Sequence, residues 1–315
     1  MMSRWLLLLT LLPALALADG LRLMAITIDD LPWTSDQFGA RAEQRYTAQL
    51  LTTLKRHAVP ATGFVNSAKL ADPDGTPRPA RLALLQDWLD AGLQLGNHTH
   101  THRSLHQIPL AEYQADVLRG ELELRPLLGA RGQPLTWFRH PFLQTGRDAR
   151  TRDAFLAFLA AHGYRVAPVT IDNGEWIYAL AYRKALAAAD TALQARIGAD
   201  YLDYMLAKTR FFEHAAVRQL GRRMPHILLL HANELNARFL DPLLKRHAAQ
   251  GWRWISLAAA ADDPAYREQD DQFFGRGGIS WIHRWALTVG QPADFYADEP
   301  AVTAWVLKIA GVDSE

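Results

Sequence analysis

Two adjacent aspartates, two histidines four residues apart, an arginine before a proline, a further aspartate and a lone histidine carry the legible chemistry of this chain. They stand in five short polar clusters, each following an apolar, strand-like run. Asp29-Asp30 follows LRLMAITI, the HTHTH of residues 98–102 follows LQLGN, and Arg139-His140-Pro141-Phe142 follows PLTWF. The DNGEW of residues 172–176 follows RVAPVTI, and His231 closes HILLL. Carboxylates and imidazoles gathered at strand ends are the parts of a metal-assisted hydrolase, which needs N and O ligands, an open coordination position, a base and an acid. His98 and His102, at i and i+4, are expected on one face of a helical turn and within reach of one ion. Thr99 stands where an HExxH peptidase carries its glutamate, which argues against that class. Neighbouring side chains at a strand end diverge, so one aspartate of the pair can bind a metal while the other faces the attacking water.

Taken singly, each cluster has an ordinary structural explanation. Adjacent aspartates before a proline make turns and caps, DNG is a good turn, and a histidine at the end of a buried strand is often a satisfied core residue. Five of them, after five separate apolar runs, supply metal ligands, base, orienter and acid together, and coincidence becomes the weaker explanation.

The elements needed to position them alternate. Strand-like runs at 21–28, 61–65, 94–96, 135–138, 164–171, 225–230 and 252–256 are separated by amphipathic segments at 42–57, 80–91, 110–127, 149–161 and 235–249. Repeated β-α units predict a parallel sheet, and about seven of them without a dinucleotide-type glycine loop predict a closed barrel with its chemistry at the strands' carboxyl ends. Residues 176–223, alanine-rich and proline-free, are expected to form two or three inserted helices. The stretch 261–315, irregular and bearing Trp281, Trp285 and Trp305, is expected to pack on the barrel as a C-terminal extension.

A net charge of +1 on 315 residues offers no electrostatic case for nucleic acid or an anionic membrane, and the absence of cysteine excludes disulfides, thiolate metal sites and cysteine nucleophiles. Arg4, the apolar run WLLLLTLLPALAL and the small-x-small Ala16-Leu17-Ala18 have the form of a signal peptide over residues 1–18. The run is shorter than a spanning helix needs and contains Pro13, so cleavage and export are expected, most naturally to a bacterial periplasm.

With these residues in place, the sequence strongly resembles the polysaccharide deacetylase family, carbohydrate esterase family 4. The T-x-D-D pattern of that family stands here as Thr27-Ile28-Asp29-Asp30, its H-[ST]-x-x-H as residues 98–102, and its arginine-proline pattern as Arg139-His140-Pro141-Phe142. The Asp…Trp pattern runs from Asp172 to Trp176, and L-x-H is Leu229-Leu230-His231. All lie in family order within roughly residues 21–258. The resemblance implies a distorted (β/α)7 barrel over residues 19–260 and hydrolysis of an N- or O-acetyl group on a glycan. It implies Asp29 as base, and Asp30, His98 and His102 as ligands of a divalent metal, usually zinc. It further implies Arg139 as the partner of the base, Asp172 as the carboxylate that tunes the acid, His231 as that acid, and Leu229 and Trp176 as walls of the acetyl pocket. Pro141 and Phe142 belong to the substrate-binding turn, Phe142 through a backbone N–H. Glu175 stands where the family commonly has a second aspartate before the tryptophan. Trp33, Trp137 and Trp176 are candidates for stacking on sugar rings. An exported, metal-dependent deacetylase hydrolysing N-acetyl groups of a chitin-like or peptidoglycan glycan is therefore expected; an O-acetyl esterase and a non-catalytic exported polysaccharide- or metal-binding protein are the alternatives. Retention of both Asp29 and His231 weighs against the last, since neither metal nor sugar binding requires a base and an acid.

Overall fold

Alternation along the first strand sorts the whole sheet. In β1 (Arg22–Leu31), Met24, Ile26 and Ile28 join the large core between sheet and helices, whereas Ala25 joins a smaller cluster with Phe64, Trp137, Ala167 and Ile227. Successive side chains on a strand point to opposite faces, so Thr27 and Asp29 share the face of Ala25, the interior of the curled sheet. That interior is filled at its lower end and polar at its upper end.

The computed structural model describes residues 20–315; the expected signal segment lies outside the described residues. After β1 come α1 (Ala40–Arg56), β2 (Thr62–Val65), α2 (Pro79–Asp90), β3 (Gln94–Asn97), α3 (Leu110–Gly129), β4 (Trp137–Phe138), α4 (Ala149–Ala161) and β5 (Arg165–Val166). Then follow α5 (Glu175–Ala187), α6 (Thr191–Leu220), β6 (His226–His231), α7 (Glu234–Ala249) and β7 (Trp252–Trp254). After β7 comes α8 (Leu257–Ala261), and the extension carries α9 (Ala265–Glu268), α10 (Trp281–Thr288) and α11 (Ala304–Ala310). Among the described residues no helix is long and apolar enough to cross a membrane.

All strand pairings are parallel, in the order β5-β4-β3-β2-β1-β6, with β7 pairing the first residues of β1. The expected α/β architecture of the (β/α)7 type is therefore present. The fifth strand departs from the 164–171 expected. Regular pairing with β4 stops at Val166, with the Ala167 N–H donating to the Phe138 carbonyl at 2.8 Å. Beyond it Thr170 and Ile171 both donate to the Ile227 carbonyl, at 3.0 and 3.1 Å, and Ile171 bridges Leu228. One segment thus faces β4 at its start and β6 at its end, which closes the curl.

The 176–223 insert is two helices. Asp190 caps α6, its side chain accepting from the Leu193 N–H at 2.9 Å, and α6 ends at Gly221, whose φ of 70° is the left-handed stop that glycine adopts freely. The extension packs on both, α10 against α6 and α11 against α5. Trp281 and Trp285 are buried there.

Candidate active site

The upper end of the interior is built from strand termini. The register between β1 and β2 shifts between Ile28 and Leu31, and Asp30 has a φ of 68°. This bulge removes the divergence expected of neighbouring side chains and brings both carboxylates to one place. Asp29 Oδ2 lies 3.7 Å from His98 Nε2, and Asp30 Oδ1 lies 3.7 Å from His102 Nε2.

The two histidines do not sit on a helical turn. Residues 98–102 form a loop in which Thr99 and His102 have φ of 64° and 58°. Polar side chains hold it: Asn97 Oδ1 accepts from the Thr99 N–H at 2.8 Å, Thr99 Oγ1 from the His102 N–H at 2.9 Å, and Asp116 from the Thr101 N–H at 3.0 Å. Local side-chain bonds of this kind compete successfully with helix. The spacing still brings the rings together, with centroids 4.8 Å apart. His100 turns away to Ser67 Oγ at 2.7 Å.

His98 Nδ1 is 2.8 Å from the Arg139 carbonyl. A carbonyl only accepts, so Nδ1 carries the proton and Nε2 turns its lone pair to the space it shares with Asp30 and His102. Burial holds His98 well below its usual pKa and lowers His102 as well, leaving neutral imidazoles suited to ligation. Asp30 is charged: burial would raise it, but Lys69 and then His102 hold it well below the carboxylate range. Lys69 Nζ lies 3.2 Å from Asp30 Oδ1, a contact that no sequence signal announced. One ligand atom each from Asp30, His98 and His102 lie within 4.8 Å of one another. The donor set, one carboxylate oxygen and two neutral imidazole nitrogens, suits a divalent ion such as Zn²⁺. Asp29 Oδ1 beside it is buried and has no hydrogen-bond partner among the described residues, as a group reserved for a ligand or water would be.

Arg139 is fully buried and crosses the interior, donating from Nη2 to Thr27 Oγ1 at 2.9 Å with its guanidinium 4.8 Å from the Phe64 ring centroid. Its Nη1 is 3.9 Å from Asp29 Oδ2. Burial nevertheless wins over Arg139, and the Asp29 carboxyl is pushed up to about 6, close to where a general base works at neutral pH.

His231 closes the far side, and here the expected partner is wrong. The carboxylate at its Nδ1 is Glu175, at 2.7 Å, not Asp172. Asp172 Oδ1 instead accepts from the Asn173 N–H at 2.9 Å, and Asp172 lines the cavity with its carboxyl raised by burial to about 6. Asn173 ties the turn to the Leu229 carbonyl at 2.9 Å, so that α5 starts at Glu175 with its first side chain aimed inward. Glu175 is fully buried, and its Oε1 accepts from Asn233 and, at 2.8 Å, from Asn236. Burial would depress His231, but the charge and hydrogen bond of Glu175, with Asp30 and Asp29 beyond, push it up to about 9. The one hint in the sequence was Glu175 standing beside Trp176 in place of an aspartate.

A cavity of about 470 Å³ opens over these groups, lined by Asp30, His98, His102, His231, Leu229 and Trp176 and by Phe142 and Leu143. Phe142 and Trp176 are half exposed, at 53% and 42%. Pro141 is buried and begins the turn that presents Phe142. Trp33 and Trp137 are core residues, 1% and 4% exposed, so of the three tryptophans considered for stacking only Trp176 is placed for it.

Residues 18–167 match the family model described as polysaccharide deacetylase. Among solved structures, the chain is similar to the peptidoglycan deacetylase PdaC from Bacillus subtilis, at 17% identity and a TM-score of 0.48, covering 79% of this chain and 94% of that one. It is similar to a family 4 carbohydrate esterase from Streptomyces lividans in complex with acetate, at 20% identity and 0.45, covering 76% and 95%. A CE4 family pseudoenzyme from Bacillus anthracis matches at 15% identity and 0.46, covering 78% and 66%.

Proposed function

We propose, from the match of residues 18–167 to the polysaccharide deacetylase model, that the protein is an exported, divalent-metal-dependent hydrolase that removes N-acetyl groups from a glycan. The observation that carries this reading is the convergence of two differently tuned halves on one cavity. Asp30, His98 and His102 offer neutral and anionic ligand atoms, and Asp29, Arg139, His231 and Glu175 supply a base and an acid with their partners.

Asp30, His98 and His102 would hold the ion, with Zn²⁺ the best fit to the donor set. When bound it would supply Lewis-acid polarisation of the acetyl carbonyl and of the attacking water. Asp29 accepts the proton of that water, and the charge of the buried Arg139 guanidinium, 3.9 Å away, partly offsets the carboxylate's desolvation. A backbone N–H at Phe142 is the proposed second stabiliser of the tetrahedral oxyanion. His231, held at Nδ1 by Glu175, donates from Nε2 to the leaving nitrogen. An imidazole raised to about 9 stays protonated at neutral pH, which suits an amine leaving group; an alkoxide would need such an acid less. Trp176 and Leu229 wall the space for the acetyl group and the adjoining sugar.

Residues 1–18 are proposed as a signal peptide, with residues 19–260 as the deacetylase barrel and 261–315 as an extension of it. Export to a bacterial periplasm makes peptidoglycan or another N-acetylated glycan the favoured substrate. Acetate release from N-acetylglucosamine oligomers, peptidoglycan and an O-acetylated polysaccharide tests the reading. Release from the N-acetylated substrates should be lost with chelator and return on adding Zn²⁺. A zinc-loaded, folded protein that frees no acetate from them would overturn it.

A further inference from the structure

Phe142 and Leu143, at the heart of the substrate-binding turn, are consecutive non-glycine residues with φ of 55° and 53°. Two such residues in succession persist only where the surroundings over-determine them. Those surroundings are supplied by the extension, from residues 271–284. Gly278 lines the cavity and passes so close to the turn that a Cβ there would overlap the Phe142 carbonyl. Arg284, 1% exposed, donates to the Leu143 carbonyl, to Thr145 Oγ1 at 3.0 Å and to the Ile279 carbonyl of its own segment at 3.2 Å. Asp271 at 3.4 Å faces its charge, and the Trp281 ring lies 4.6 Å away. Gln144 Nε2 answers from the turn, donating to the Arg276 carbonyl at 2.6 Å.

The same segment holds the strand that leads to Asp172 and Glu175. The Trp281 N–H donates to the Val169 carbonyl at 2.8 Å, and the Ser280 hydroxyl donates to the Thr170 carbonyl at 2.9 Å. A segment more than a hundred residues downstream thus grips both turns that flank the cavity opposite the metal ligands.

We infer that residues 271–284 are a brace that belongs to the active site, with Gly278 and Arg284 as positioning residues that hold the oxyanion-binding turn in its left-handed form. The role of that turn in turnover rests on the deacetylase reading; the brace itself rests on contacts alone. Arginine is required because three separate nitrogens of one planar guanidinium each meet their own acceptor, a spread that the three hydrogens on one ammonium nitrogen do not span. Glycine is required because the turn's backbone, which cannot swing aside as a side chain would, occupies the place of any Cβ.

The full-length zinc-loaded protein and its Gly278→Ala, Arg284→Met and Arg284→Lys variants test this by kinetics and by amide hydrogen exchange. Gly278→Ala and Arg284→Met should lower kcat about 10- to 100-fold, since a misplaced catalytic group costs on that order, with KM changed less than about twofold. Arg284→Lys, which keeps the charge and most of the volume and so retains the fold, should fall between wild type and Arg284→Met. In each variant the amides of residues 142–145 should exchange faster, while those of the 98–102 loop and the bound zinc stay as in wild type. Wild-type exchange at 142–145 in Arg284→Lys and Gly278→Ala would overturn the brace. So would wild-type kcat in both, given an active parent. If the wild-type protein frees no acetate from any glycan or aryl acetate, yet exchange at 142–145 quickens in the variants, the deacetylase reading falls and the brace stands.

Discussion

His98 and His231 stand at the carboxyl ends of two parallel strands, line the same cavity and are both largely withdrawn from solvent, yet they are prepared for opposite states. His98 meets a neutral carbonyl at Nδ1, so burial, with His102 beside it, outweighs Asp30 and the ring stays neutral. His231 meets the fully buried Glu175 at Nδ1, and that charge outweighs the same burial. One hydrogen-bond partner, uncharged or charged, separates a ligand from an acid. The two carboxylates of β1 repeat the lesson one residue apart. Burial dominates at Asp29, whereas Lys69 and His102 dominate at Asp30.

The largest expected effect breaks the neutral half. His98→Ala should lose both bound zinc and measurable turnover, and full zinc stoichiometry by elemental analysis would remove His98 from the ligand set. Asp29→Asn separates chemistry from binding: kcat should fall by about 10²- to 10⁴-fold, the span of general acid-base catalysis, while zinc content stays at the wild-type level. Near-normal acetate release from that variant would place the base elsewhere.

Breaking the charged half should give a substrate-dependent loss. His231→Ala should cost about 10²-fold or more on acetamido sugars and much less on an aryl acetate, whose leaving group needs little protonation. Equal losses on both would make His231 a packing residue. The finest test exchanges partners. An acid raised to about 9 is protonated below that pH and lost above it, so the alkaline limb of activity should lie near pH 9 in wild type. Glu175→Gln should move that limb down by about 1–3 pH units, because the largest raising influence is gone. Asp172→Asn should leave it in place. A limb that follows Asp172 and ignores Glu175 would reverse the assignment made from the 2.7 Å contact.

Much of the site was legible because its signals are local. Strand periodicity placed Asp29, His98, Arg139 and His231 at the right ends of the right elements, and all of them meet around one cavity or directly behind it. What failed was conformation over a few residues. The i,i+4 spacing of the histidines suggested a helical turn, but Asn97, Thr99 and Asp116 offer the backbone better partners in a loop. Trp33, a candidate sugar platform by residue type, instead donates its indole N–H to Glu234, 3.2 Å away in the core.

The sequence by itself determined the set of reactive groups, their order and the period-2 alternation that turns them inward, since each depends only on neighbours within a strand's length. Only the tertiary structure decided which carboxylate serves His231. Asp172 and Glu175 are three residues apart, and the choice turns on where a tight turn ends and α5 begins, fixed by Asn173 bonding to a strand distant in sequence. Only the tertiary structure, too, brought Gly278 and Arg284 to the Phe142 turn. A close approach between segments more than a hundred residues apart leaves no periodicity in either one, because its physical cause, the exclusion of one backbone by another, exists only once both are in place.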